Sequence, residues 1–293
     1  MNTESVMSAD DKLCNTTKVH DVSGFLQWVK KMHSVTNESG LDFQRNRVFY
    51  RGQASSSWKL VPAIFRKENI GLSEHQIYQE ACRRLWHELQ SYDTYLDKLV
   101  YFQHYGLPTR LLDVTSNPLV ALYFACCYTS ANEVESKDGI VYCTNNMEDN
   151  SLLAELRAKE LFMGAPDITY YLNIYEKKEQ LFFEENYIRP IFFNPPASNL
   201  RVNYQNGAFI MAPILASRPT DINSLKLFQG DLSNVFDGRT AIIPCNHKES
   251  ILQELAELGI DKGTLFVDAA SKLESIVQGA RRNSFLLMYN KNN

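Results

Sequence analysis

The sequence predicts an α+β fold, a single mixed domain with a β core flanked by helices. Three observations predict it. Apolar residues recur at helical spacing in several separated segments, and short β-type runs bounded by glycine or proline lie between them. No internal repeat or low-complexity tract interrupts that mixture, and 293 residues with 44% hydrophobic composition suffice for one large core.

Taken in order, residues 1–18 are polar and without periodicity, which predicts a flexible leader followed by one domain over 19–293. Val22, Phe25, Leu26, Val29 and Met32 then mark an amphipathic helix, with Asp21 or Ser23 available as its N-cap. RVFYRGQ reads as a short strand closed by Gly52. LSEHQIYQEACRRLWHELQSY reads as one long helix capped by Ser73, with Ile77, Leu85 and Leu89 on one side. KDGIVYCTN reads as a strand and SLLAELRAKELF as a helix, with an insertion around residues 145–190. Further strands are predicted at RPIFFNP, RVNYQNGAFIMAP and GRTAIIPCN, where proline and glycine set the limits. HKESILQELAELGI is an amphipathic helix, and GTLFVDAASKLESIVQGARR an apolar run leading into another.

Charge and composition narrow the functions. A net charge of -4 and a pI of about 5.9 argue against a protein that neutralises many nucleic-acid phosphates through its overall field, although a local basic groove stays open. No apolar run reaches the ~18 to 20 residues of a membrane-spanning helix, and Met1 is followed by a polar, acidic segment. The expected compartment is the cytoplasm, with no membrane partner. The six cysteines contain no CxxC pair, so buried free thiols are expected and no metal site is predicted.

Chemistry concentrates in YFQHYGLPTRLLDVTSNPLVALYFA, residues 101–125. Gly106 and Pro108 break a helix ending near His104, a short extended run follows to Val114, and Asn117-Pro118 opens a new helix with Ser116 as its cap. Leu119, Leu122, Tyr123, Cys126 and Cys127 form the apolar stripe of that helix. His104, Arg110, Asp113, Thr115, Ser116 and Asn117 crowd the break before it, where exposed N–H groups favour an anionic ligand such as phosphate.

VFYRGQ, LVYFQHYGLPTRLLDVTSNPLVALYFA and NLRVNYQNGAF, in that order, resemble the FRG domain, whose aromatic-Arg-Gly motif reads here Tyr50-Arg51-Gly52. The QHxGxPTRLLD signature spans Gln103 to Asp113, SNPxxALxFA spans Ser116 to Ala125, and QxGxF falls on Gln205, Gly207 and Phe209. Val114 stands where many members carry Trp. A second resemblance, to ADP-ribosyltransferases of the Arg-Ser-Glu type, implies an NAD site: Arg51 on the diphosphate, Thr115-Ser116 bracing it, and a later carboxylate near the ribose. It also implies that Gly52 lets the backbone approach the ligand. No Glu-x-Glu or Gln-x-Glu on a strand follows Phe209. Gln205 occupies the expected position, Asp113 is the acid inside the motif, and Glu184-Glu185 is the nearest acidic pair.

The resemblances imply two function classes. One is an ADP-ribosyltransferase or NAD-cleaving enzyme with His104, Asp113 and Gln205 in catalytic positions and Tyr50, Arg51, Gly52, Arg110, Thr115, Ser116 and Asn117 binding NAD as substrate, a protein being the possible target. The other is a non-catalytic module that senses a nucleotide, dinucleotide or partner. Structural readings stand beside both: Arg51 or Arg110 paired with Asp113, His104 capping a turn, Ser116 as an N-cap, Gln205 alternating with Asn203 and Phe209 along a strand, and Arg281-Arg282 at a solvated helix end.

Overall fold

In a computed structural model of the protein, the described residues are 16–37, 48–66, 74–127, 137–144, 147–164, 187–195, 202, 204–217, 226, 228, 230–236 and 238–266. Seven strands among them form one mixed sheet, ordered β1-β7-β4-β2-β3-β6-β5. They are β1 (Thr16–Lys18), β2 (Phe49–Gln53), β3 (Leu111–Thr115), β4 (Gly139–Thr144), β5 (Ile191–Phe193), β6 (Gly207–Met211) and β7 (Thr240–Ile243). All neighbours run antiparallel except β1, which lies parallel to β7. The architecture is α+β, as the sequence predicts. Thr16–Lys18, read from sequence as the end of a leader, form the edge strand, Thr17 lying opposite Ala241.

The helices are α1 (Val22–Asn37), α2 (Glu74–Arg84), α3 (Tyr95–His104), α4 (Pro118–Cys126), α5 (Ser151–Met163), α6 (Lys248–Glu257) and the short α7 (Lys262–Leu265). Their starts follow from capping chemistry. Asp21 Oδ1 accepts from Gly24 N at 2.6 Å, Thr94 accepts from Asp97 N, Asn150 from Leu153 N, and Asp261 with Thr264 closes a reciprocal capping box. α4 starts at Pro118 but is capped by Asn117, whose side chain accepts from Leu119 N at 3.0 Å, and not by Ser116.

Helices cover one face of the sheet in two groups. α1, α4 and α6 pack over β2, β4 and β7 in a core containing Phe25, Trp28, Tyr50, Val141, Ala241 and Ile251. α2, α3 and α5 pack over β3, β5 and β6 around Tyr78, Phe102, Leu111, Phe162, Phe193 and Met211. The opposite face carries a third cluster, with Phe49, Leu60, Leu112, Val114, Phe192 and Ile210. α4 is buried on almost every side, including Val120, Ala121 and Ala125, so the one-sided stripe expected from sequence becomes a helix enclosed between sheet and helices.

Two predicted elements differ in extent. The long helix after residue 73 ends at Arg84 and resumes as a 3-10 turn at Glu88–Ser91, which keeps Leu89 buried while Trp86 faces solvent. The strand predicted from Arg201 begins only at Gly207, because Asn206 adopts a positive φ of 46° that turns the chain into it. Ser73, Asn203, Glu184-Glu185, Arg281-Arg282 and the helix expected after Phe266 lie outside the described residues.

Candidate functional site

The two helix groups part where β2 meets β3. β2 pairs with β4 from Phe49 through Gln53, but with β3 at Tyr50 opposite Thr115 alone. Side chains alternate along a strand, so Gly52 and Asp113 share the helix-covered face with that pair, whereas Arg51 and Gln53 start from the other face. Past Tyr50 the strands diverge, and a cavity of about 260 Å³ opens between α3 and α4.

Tyr50, Arg51, Gly52, His104, Asp113, Thr115 and Gln205, seven of the residues singled out from sequence, line this cavity. Arg51 bridges the divergence: its Nη1 donates to the Asp113 carbonyl oxygen at 2.6 Å and lies 3.8 Å from the Asp113 carboxylate. Burial pulls its guanidinium down to about 10, opposed by Asp113 and reinforced by Arg66, so it stays cationic at neutral pH. Its Nε is buried with no hydrogen-bond partner among the described residues. A buried donor of this kind costs free energy unless an acceptor satisfies it.

The Asp113 carboxylate is 59% exposed and accepts from Gln103 Nε2 at 3.1 Å, while Gln103 Oε1 accepts from Thr109 Oγ1 at 2.6 Å. Gln103 thus positions the acid. The sequence carried it inside the signature but offered no role for it, since its partners are set by the turn between α3 and β3. The Thr115 hydroxyl donates to Gln205 O at 2.7 Å and accepts from Asn117 N at 3.0 Å, which ties β3 to the turn before β6. Gln205 lies in that turn and not on a strand, and its Nε2 donates to Leu265 O at 3.1 Å. The His104 ring lies 4.8 Å from that of Tyr105. The Tyr50 hydroxyl is 3.0 Å from His33 Nε2, and burial first, then Cys143, pushes its pKa upward.

Three expected ligand contacts lie elsewhere. Arg110 is 5% exposed, pairs through Nε and Nη2 with Glu74, and donates from Nη1 to Pro213 O at 2.6 Å. It fastens α2 to the core, because a buried guanidinium is held where a carboxylate and carbonyls neutralise it. Ser116 is exposed and donates its N–H to Asn206 O, and Asn117 is the helix cap. Gly52 does line the cavity, but its lack of a side chain serves packing. A Cβ there would stand 1.8 Å from Ala121 O and 2.8 Å from Ala125 N, so helix α4 demands the glycine.

A second cavity of about 570 Å³ adjoins the first and shares Arg51, Gly52 and Phe124 with it. Its other walls include Gln53, Trp58, Lys59 and Arg66, polar and aromatic groups to which the sequence reading assigned no role. Among the described residues no cluster of His, Cys, Asp and Glu has metal-binding geometry, and no helix is long and apolar enough to cross a membrane.

Residues 46–134 match the model of the FRG domain family. That segment runs from just before β2 to just after α4 and supplies Arg51, Gln103, His104, Asp113 and Thr115 to the cavity. No curated protein and no solved structure matches the chain.

Proposed function

We propose, from the resemblance of Tyr50-Arg51-Gly52 to the first motif of ADP-ribosyltransferases and from the parted strands, that the cleft binds NAD and that the protein cleaves it at the nicotinamide bond, for ADP-ribosyl transfer or hydrolysis. The observation that carries this reading is Arg51. A forked cation sits where β2 and β3 separate, with a buried Nε that has no acceptor among the described residues, and that arrangement suits a phosphate or diphosphate oxygen. In this reading the apolar wall from Val120, Ala121 and Phe124 shelters the nicotinamide–ribose half and keeps water from it.

Cleavage breaks the bond between ribose C1′ and the pyridinium nitrogen, whose electron pair leaves with neutral nicotinamide. The electron-poor ribose is then captured by a nucleophile, water or a protein side chain, which gives up its proton. A negative group beside C1′ lowers the barrier because charge develops there. In this reading Asp113, held by Gln103 and lining the cavity, serves as that group.

One observation favours a second reading, a nucleotide-sensing module without turnover. The Asp113 carboxylate is 59% exposed, so solvent screens its field, and the amide of Gln205 is already engaged by Leu265. Incubating purified protein with NAD tests both. Release of nicotinamide, or a mass gain equal to ADP-ribose on a target, supports the enzyme; saturable NAD binding without either supports the module; no binding removes the NAD reading.

A further inference from the structure

The adjoining cavity contains a complementary set of groups that the nicotinamide half of a dinucleotide leaves unused. Gln53 is 5% exposed, lines this cavity, and has a buried Oε1 without a hydrogen-bond partner among the described residues. That acceptor calls for an N–H or O–H donor. Lys59 and Arg66 place two exposed cations on the same wall, with Arg66 Nε held by Val61 O at 2.8 Å. Trp58 presents a 42% exposed indole to the same space.

An inorganic anion would meet the cations but leave the Gln53 oxygen and the indole unsatisfied. An apolar ligand would leave the cations without a partner. A purine nucleoside phosphate satisfies all three: its phosphate oxygens accept from cations, its amino or ribose hydroxyl group donates to an amide oxygen, and its base has a face for an indole. Arg51 and Gly52 form the boundary common to both cavities, so a diphosphate crossing there would join the two halves of one ligand.

We infer that this second cavity is the purine-nucleotide subsite of the cleft, with Trp58 stacking on the base, Arg66 and Lys59 facing phosphate, and Gln53 accepting from the base or ribose. The inference rests on the dinucleotide reading above and adds which wall recognises which half. Both Trp58 and Arg66 are solvent-exposed, so substitutions there leave the core untouched.

Calorimetric titration of the full chain with AMP and, separately, with nicotinamide mononucleotide tests it, using wild type, Trp58→Ala and Arg66→Gln, each checked for an unchanged thermal transition. Trp58→Ala should weaken AMP about tenfold or more while changing nicotinamide mononucleotide less than about twofold. Arg66→Gln should weaken AMP and flatten its salt dependence, and NAD should displace AMP competitively. AMP affinity that is unchanged in both variants overturns the inference, as does AMP bound simultaneously with saturating NAD. Wild type that binds nicotinamide mononucleotide but not AMP overturns the subsite alone and leaves the proposed function standing. Binding of neither ligand overturns both.

Discussion

Arg51 Nη1 lies 2.6 Å from the carbonyl oxygen of Asp113, so the motif arginine spans the gap between β2 and β3, while its Nε has no hydrogen-bond partner among the described residues. One side chain thereby braces the cleft and lines it. The same geometry explains why Arg51 and Asp113 are close without forming a tight ion pair: the short bond goes to the main chain, and the exposed Asp113 carboxylate stands 3.8 Å away.

Arg51→Lys should separate these two tasks. Lysine keeps the charge and can reach one acceptor, but it lacks the planar fork. Affinity for NAD should fall about 10- to 100-fold, equivalent to ~1.4 to 2.8 kcal/mol, and the thermal midpoint should fall by a few degrees as the strand brace weakens. Titration calorimetry and a melting curve on the same preparation measure both. Unchanged affinity would remove Arg51 from the ligand site.

Asp113→Asn should leave the fold nearly intact, because an exposed carboxylate paired at 3.8 Å contributes only about 0 to 1 kcal/mol. If the protein cleaves NAD, turnover should drop by about 100-fold or more while NAD affinity changes little, the pattern of an interaction made mainly in the transition state. A stable mutant with full nicotinamide release would eliminate Asp113 as the negative group.

Glu74→Gln should act on stability and not on the ligand. It leaves the buried Arg110 guanidinium without its counter-charge and weakens the 2.7 Å bond from Tyr78, at a cost of roughly 3 to 5 kcal/mol. Urea unfolding should show the loss, whereas the folded fraction should bind NAD with wild-type affinity, since neither Glu74 nor Arg110 lines the cavity. A selective loss of binding would return Arg110 to the ligand site.

Gly52→Ala tests whether the motif glycine answers to the helix or to the ligand. Its Cβ would press into the carbonyl of Ala121, so α4 must lift from the sheet and the protein should lose about 3 kcal/mol or unfold outright. Wild-type stability with impaired NAD binding would show that the close approach is to the ligand and not to α4.

Local order was legible in the sequence where its cause is local. Apolar spacing located α1, α5 and α6, proline and glycine bounded β4, β5 and β7, and the contiguous QHxGxPTRLLD segment put His104 and Asp113 on either side of one turn. Helical and extended chains repeat at 3.6 and 2 residues, and caps act within three residues, so such signals survive in a linear string. Which polar residue faces the cleft depends instead on partners far along the chain. Arg110 is taken by Glu74, 36 positions earlier, Gln205 is held by Leu265, 60 positions later, and Gly52 is fixed by the helix that crosses it at Ala121. The parting of β2 from β3, and the cavity that joins Gln53, Trp58 and Arg66 to Phe124 of α4, likewise exist only in the folded chain. Buried charges and close backbone contacts are settled by whichever group folding brings within a few ångströms, and that choice belongs to the tertiary structure.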